Sequence, residues 1–137
     1  MPASDVETIL LVDDEEEVRA ILARVLRTEG YHVLEATNGQ RAIDVASQHA
    51  GSIELVVTDM RMPAMDGRRL LDKFRGWYPS IRFLLISGYS DPARALAGLE
   101  GTPTAFLAKP FTGTELLEAV HDLLDRHVNE DSARPAE

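Results

Sequence analysis

Cysteine is absent from the 137 residues of this chain, so neither a disulfide framework nor a thiolate metal site is available, and the composition suits a reducing cytoplasm. No stretch approaches the roughly 20 consecutive apolar residues that a membrane span requires. The opening residues, Met1-Pro2-Ala3-Ser4-Asp5, carry neither the basic segment nor the apolar core of a secretory signal. A cytoplasmic protein without membrane insertion is expected. Positive charge is also scarce: 14 Lys and Arg face 23 Asp and Glu, for a formal net charge of -9. Non-specific nucleic-acid binding depends on cations that neutralise phosphates, so direct nucleic acid binding is not expected. Nor does a glycine-rich phosphate loop follow the first apolar run. Asp13 and Asp14 stand where a nucleotide or flavin carrier would need backbone amides. No internal repeat is visible, and the length suits a single core.

What the chain does have is alternation. Short apolar runs at Ile9–Val12, Tyr31–Ala36, Leu55–Thr58, Phe83–Ile86 and Ala105–Ala108 are separated by segments of helical periodicity. In the first of these, Val18, Ile21, Leu22, Val25 and Leu26 form a stripe that stops at Glu29-Gly30, where Gly30 suits a left-handed C-cap. Thr37-Asn38-Gly39 leads into a weaker helix carrying Ile43, Val45 and Ala46. A loop rich in Met and Pro, Met60 to Gly67, precedes a helix with Leu70, Leu71, Phe74 and Trp77 expected inward and Tyr78-Pro79 closing it. Ser90-Asp91-Pro92 opens a fourth helix that soon meets Gly98, Gly101 and Pro103, so it is expected to be short and loosely held. Thr112-Gly113-Thr114-Glu115 reads as a capping box. Behind it, Leu116, Leu117, Val120, Leu123 and Leu124 make the stripe of a fifth helix ending near His127.

The expected organisation is an N-terminal tail at 1–6, one domain at 7–127 and an acidic disordered tail at 128–137. Five strands alternating with five helices predict an α/β fold: a doubly wound parallel sheet of order 2-1-3-4-5, flavodoxin-like, with right-handed crossovers covering both faces.

Asp13, Asp14, Asp59, Ser87 and Lys109 each stand at the C-terminal end of one of these runs. In a parallel sheet those ends share one edge, where open α/β sheets bind ligands. Three carboxylates cannot gather ionised without a counter-charge, and an oxygen-only ligand set favours magnesium over zinc or copper. The Ser87 hydroxyl and Lys109 ammonium suit an incoming phosphoryl group. Glu15, Glu16 and Glu17 read instead as acids complementing a helix N-terminus. His32, His49, His121 and His127 share no spacing and read as surface or helix-face residues without metal roles. Met60, Met62 and Met65 read as adaptable loop packing.

Taken in order, Leu10-Leu11-Val12-Asp13-Asp14-Glu15, then Val57-Thr58-Asp59 through Met65-Asp66-Gly67, then Ile86-Ser87-Gly88, then Ala108-Lys109-Pro110-Phe111 resemble the receiver domain of two-component response regulators, over about residues 7 to 127. The resemblance implies a phosphoacceptor domain that takes a phosphoryl group onto Asp59 in a magnesium-dependent reaction. The donor is a histidine kinase, a histidine phosphotransfer protein or a small molecule such as acetyl phosphate. Such a domain catalyses phosphorylation and dephosphorylation of its own Asp and is not otherwise an enzyme. The resemblance further implies that Asp14 and Asp59 ligate Mg2+ directly, Asp13 acts largely through water, and the Arg61 backbone carbonyl completes the protein ligands. Lys109 and Ser87 neutralise phosphoryl oxygens, and the Lys109-Pro110 peptide is cis, aiming the ammonium at the acids. Signalling is implied through a switch at Ser87 and Phe106. It is read on the surface of the fourth helix, fifth strand and fifth helix by a downstream protein or in a homodimer.

Two positions depart from the commoner pattern. Ser87 replaces Thr, keeping the hydroxyl and losing the methyl that stiffens the rotamer. Phe106 replaces Tyr, so no phenol can hydrogen-bond after rotation. A magnesium-dependent phosphatase of the haloacid dehalogenase type is the enzyme alternative, but Met60-Arg61-Met62 after Asp59 lacks its second acid. With no output domain after Arg126, a stand-alone receiver or one excised from a hybrid sensor histidine kinase is expected. Ser87-Gly88-Tyr89 and Phe106 to Phe111 are similar to the hybrid-kinase type.

Overall fold

A computed structural model of the chain describes residues 6–49, 51–88, 96–99 and 101–133, with 126–133 described as backbone only. The apolar runs pair as strands β1 (Thr8–Val12), β2 (His32–Ala36), β3 (Ile53–Asp59), β4 (Arg82–Ser87) and β5 (Thr104–Ala108). All neighbours are parallel, in the order β2-β1-β3-β4-β5. Every residue of β1 and of β4 is buried. The unbroken apolar runs within them, Ile9–Val12 and Phe83–Ile86, follow, because a parallel sheet covered on both faces has no solvent side to mark with alternation.

Between the strands lie α1 (Glu16–Glu29), α2 (Gly39–His49) and α3 (Gly67–Trp77), and α4 (Gly113–Ala133) closes the chain. This α4 is the fifth helix of the expected series. The expected fourth begins in 89–95, outside the described residues. The neighbouring described segment is a turn, with Leu99 N–H donating to Leu96 O at 3.0 Å and Gly98 and Gly101 at φ 80° and 84°. Gly30 ends α1 at φ 113°, a left-handed conformation that glycine adopts without a Cβ penalty. At α4 the capping box is closed both ways: Glu115 N–H donates to Thr112 Oγ1 at 3.0 Å, and Thr112 N–H to Glu115 Oε1 at 2.8 Å. The backbone of α4 continues to Ala133, past the expected end at His127, because no Gly or Pro stands between Gly113 and Pro135 to stop it.

Two apolar layers hold the sheet. On one face Leu10, Val12, Val56, Phe83 and Leu85 meet Ala42 and Ala46 of α2 and Leu70, Leu71 and Phe74 of α3. On the other, Ile9, Leu11, Leu55, Val57, Leu84 and Ile86 meet Leu22 and Leu26 of α1 and Leu116, Val120 and Leu123 of α4. Two stripe residues expected inward face solvent instead. Ile21 is 62% exposed and Trp77 53% exposed. At 3.6 residues per turn the α1 face centred on Leu22 and Leu26 turns Ala23 inward and leaves Ile21 beyond the edge. In α3 the inward place after Phe74 falls to Tyr78, whose ring sits edge-on to Phe74 at 5.3 Å. No helix among the described residues is long and apolar enough to cross a membrane.

Where α1 meets α4, His121 Nε2 lies 3.2 Å from Glu29 Oε2, and its ring stands edge-on to Tyr31 at 5.9 Å. Partial burial, then the carboxylates of Glu7, Glu29 and Asp125, push the Tyr31 phenol up to about 12. Its contribution to stability is present below the ordinary phenol range near 10 and is lost as pH rises through 12. Difference absorbance of tyrosinate between the wild type and Tyr31→Phe should show this group ionising above the ordinary phenol range.

Candidate functional site

The register of the sheet assembles the site. Val12 is level with Thr58, Asp59 with Ile86, and Ser87 with Ala108, so the chain leaves β1, β3, β4 and β5 along one rim. Two hydrogen bonds extend the ladder beyond the strand ends. Met60 N–H donates to Ile86 O at 2.7 Å, and Lys109 N–H to Ser87 O at 2.8 Å. The second fixes the backbone from which Lys109 reaches across β4 to β3, and the Lys109-Pro110 peptide is cis.

Asp59 is gripped on both carboxylate oxygens. Lys109 Nζ donates to Oδ2 at 2.7 Å, and the Arg61 N–H donates to Oδ1 at 2.9 Å. The Asp59 side chain is 10% exposed and that of Lys109 40%, so the acid is sheltered while its partner keeps contact with water. The hydrogen bond to Asp59 raises the Lys109 pKa, burial opposes it, and the charges of Asp59, Asp13 and Glu15 add to the rise. Lys109 therefore remains a cation at neutral pH.

Asp13 is buried, and its Oδ1 accepts the Glu15 N–H at 2.9 Å. Burial raises its carboxyl above the ordinary range. The Glu15 N–H pulls it down, Asp59 and Asp14 push it up, and Lys109 pulls it down. Burial, more than the neighbouring acids, sets the direction. Asp14 and Arg61 are exposed. Among the described residues no three His, Cys, Asp or Glu side chains stand close enough to form a ready-made metal cage. Magnesium does not demand one, because it binds through one or two carboxylates and keeps several waters. The hard oxygen donors of these carboxylates fit that ion. Ser87 is buried at the end of β4. Phe106 is half-buried against the α2–α3 layer, level with Leu85.

Gly67 matters here in a way its motif position did not disclose. Its N–H donates to Met60 O at 2.9 Å, and a Cβ built on it would lie 2.5 Å from the carbonyl oxygen of Asp59 and 3.1 Å from Met60 Cα. Only glycine lets α3 start this close to the end of β3. Gly67→Ala should cost about 1–3 kcal/mol, the scale of forced overpacking, and displace Asp59. Thermal melts together with chemical shifts at Arg61 and Lys109 check it. The connecting loop is itself tense: Ala64 sits at φ 68°, in the left-handed region that alanine adopts at a cost of about 1 kcal/mol or more. Met65 beside it packs against Gly39, where a Cβ would come within 2.7 Å of its sulfur, and Met62 is buried against Thr58. The methionines are loop packing, as expected of an adaptable side chain. Asp66 caps α3, accepting the Arg69 N–H at 2.8 Å. His32, His49 and His121 are exposed.

Residues 9–121 match the family model of the response regulator receiver domain. Sensor kinase CckA of Brucella abortus (strain 2308) is 38% identical over 119 residues, which cover 87% of this chain and 13% of that kinase. Sporulation initiation phosphotransferase F of Bacillus subtilis (strain 168) is 32% identical over 118 residues, covering 86% of this chain and 94% of that protein. The solved structure of response regulator protein TrrA from Thermotoga maritima, in complex with Mg(2+)-BeF, superposes with a TM-score of 0.73 at 30% identity. That match covers 86% of this chain and 99% of the other. The likeness lies with receivers, so the haloacid-dehalogenase phosphatase alternative finds no support. The family match runs from Ile9 in β1 through β5 and includes Asp13, Asp59, Ser87 and Lys109, and this chain belongs to the response regulator receiver domain family.

Proposed function

We propose that Asp59 is the phosphoacceptor of this receiver, and that it takes its phosphoryl group from a histidine kinase or histidine phosphotransfer protein in the cytoplasm. The grip on its carboxylate carries this reading: Lys109 at 2.7 Å and the Arg61 N–H at 2.9 Å, beside a strained Asp13. In transfer from phosphohistidine, an Asp59 oxygen forms the bond to phosphorus as the phosphorus–nitrogen bond breaks, and the leaving imidazole retains the electron pair. The transition state is loose and its charge sits on the equatorial oxygens, so positioning and neutralisation dominate. Lys109 follows the charge from the carboxylate to a phosphoryl oxygen without giving up its proton. The Ser87 hydroxyl donates to another. Magnesium held by Asp13, Asp14, Asp59 and the Arg61 carbonyl would supply neutralisation of a third oxygen, and the Mg(2+)-BeF complex of TrrA supports that choice of ion. Water reverses the modification, and no external metabolite is turned over. Intact mass after incubation with acetyl phosphate and magnesium should rise by one phosphoryl group, and no gain would overturn the reading.

The signal leaves through Ser87 and Phe106. As the Ser87 hydroxyl is drawn to the phosphoryl group, Phe106 enters the space it vacates, repacking the surface of the expected fourth helix, β5 and α4 for a downstream protein or a second copy. Beryllofluoride, which binds only the phosphorylated geometry, should shift the population toward that arrangement by its differential affinity. Amide exchange with and without it should change at 96–99 and 104–108. Changes confined to the loops around Asp14, Asp59 and Lys109 would refute the coupling.

A further inference from the structure

Arg19 is one turn into α1, and no part of the acid-site motif includes it. Its side chain is only 13% exposed, although it carries a full charge. Its guanidinium is spent on two acceptors. Nη1 donates to the backbone carbonyl of Asp13 at 2.9 Å, and Nε donates to Glu35 Oε1 on β2 at 3.1 Å. Glu35 is anchored in turn, its Oε2 lying 3.1 Å from Arg27 Nη1, while Arg27 Nη2 donates to Val33 O at 2.9 Å. The Asp13 carbonyl belongs to the peptide that joins Asp13 to Asp14. On the near side of Asp13, its N–H donates to Ala36 O at 3.2 Å.

We propose that Arg19, locked by Glu35, is a positioning residue that fixes the Asp13–Asp14 peptide plane and so aims the exposed Asp14 carboxylate at the cation site. The inference rests on the functional reading above. The need for such a device is plain from the site. Asp13 is pinned by burial and by the Glu15 N–H, and Asp59 by Lys109 and the Arg61 N–H. Among the described residues no group holds the Asp14 carboxylate in a comparable way, so its direction depends on the peptide that precedes it. A guanidinium serves because its planar fork holds two acceptors in one geometry, one on the peptide and one on the neighbouring strand. A lysine ammonium would hold one acceptor well and the other poorly.

The test is Mg2+ titration of the whole chain followed by backbone amide shifts at Asp14 and Glu15, with intact-mass phosphorylation rates measured at low and at saturating Mg2+. Outer partners that orient ligands are worth about 10–100-fold in metal affinity. Arg19→Ala should weaken Mg2+ binding about 10-fold, and its phosphorylation rate should recover at saturating Mg2+. Arg19→Lys should fall between it and the wild type. Glu35→Gln, on the exposed side of the pair, should weaken binding in the same direction with the fold intact, and should add little in the Arg19→Ala background. It provides the answer if Arg19→Ala does not fold. A fall in melting temperature with Mg2+ affinity unchanged would make Arg19 a strap between α1 and β2 and overturn the inference. Failure of the wild type to bind Mg2+ or gain a phosphoryl group would instead overturn the functional reading.

Discussion

In acetyl phosphate and magnesium, Asp59→Asn should gain no phosphoryl group while the wild-type chain should gain one. The amide keeps an oxygen for the Arg61 N–H, which bonds to Asp59 Oδ1 at 2.9 Å in the wild type, so the local turn survives the change. What it lacks is the anionic nucleophile. Lys109 loses its ion pair, but its side chain is 40% exposed and hydrates readily, so this loss costs within about 1 kcal/mol. Removing a charge that pushes up the Asp13 carboxyl works in the opposite direction. The variant should therefore melt close to the wild type while its mass stays unmodified. A full phosphoryl gain in Asp59→Asn would move the acceptor to another residue, and a collapsed fold would show that the Lys109 pair is structural.

The elements that position this site were legible because each strand is a short apolar run ending in a polar residue, and a parallel sheet puts all those ends on one rim. Asp13, Asp59, Ser87 and Lys109 could be read from that rule, and the Lys109–Asp59 contact follows from it. Orientation around a helix was less legible. Ile21 and Trp77 fit a hydrophobic stripe by spacing, but the width of the buried face is set by the partner layer, and small Ala23 and amphipathic Tyr78 took the places nearest the sheet. The supporting contacts were not legible at all. Gly67 against the Asp59 carbonyl and Arg19 against the Asp13 carbonyl are side-chain or Cα approaches to backbone atoms. Backbone atoms leave no signature in residue type. The end of α4 is less legible for a different reason: a polar segment without Gly or Pro can continue a helix that is already nucleated, and the backbone runs past His127.

Without metal, Asp13→Asn should be more stable than the wild type, and with magnesium the order should reverse. Asp13 is buried, and its carboxyl is raised by burial and by Asp59 and Asp14. A carboxyl whose folded pKa exceeds its unfolded one favours the folded state only while protonated. Its contribution is complete below the ordinary carboxylate range and is lost as pH rises through the raised value. Ionising this carboxyl in the metal-free wild type therefore works against the fold as pH rises. Asparagine retains the oxygen that accepts the Glu15 N–H at 2.9 Å and removes the charge. The gain should be on the order of 1 kcal/mol, the scale of coupling between neighbouring charged groups, or a rise of about 3–5 °C in melting temperature for a chain of this size. It should be largest at neutral pH and vanish under acid. Magnesium at about 100 times its dissociation constant would stabilise the wild type by about 2.7 kcal/mol, more than the variant gained by losing its charge. Asp13→Asn should forfeit most of that increment and phosphorylate at least about 10-fold more slowly at fixed magnesium. Melting curves of both proteins in chelator and in magnesium, at neutral and acidic pH, decide the matter. Equal stabilisation of both by magnesium would remove Asp13 from the cation site, and a variant less stable than the wild type in chelator would show that its carboxylate is better satisfied than its surroundings imply.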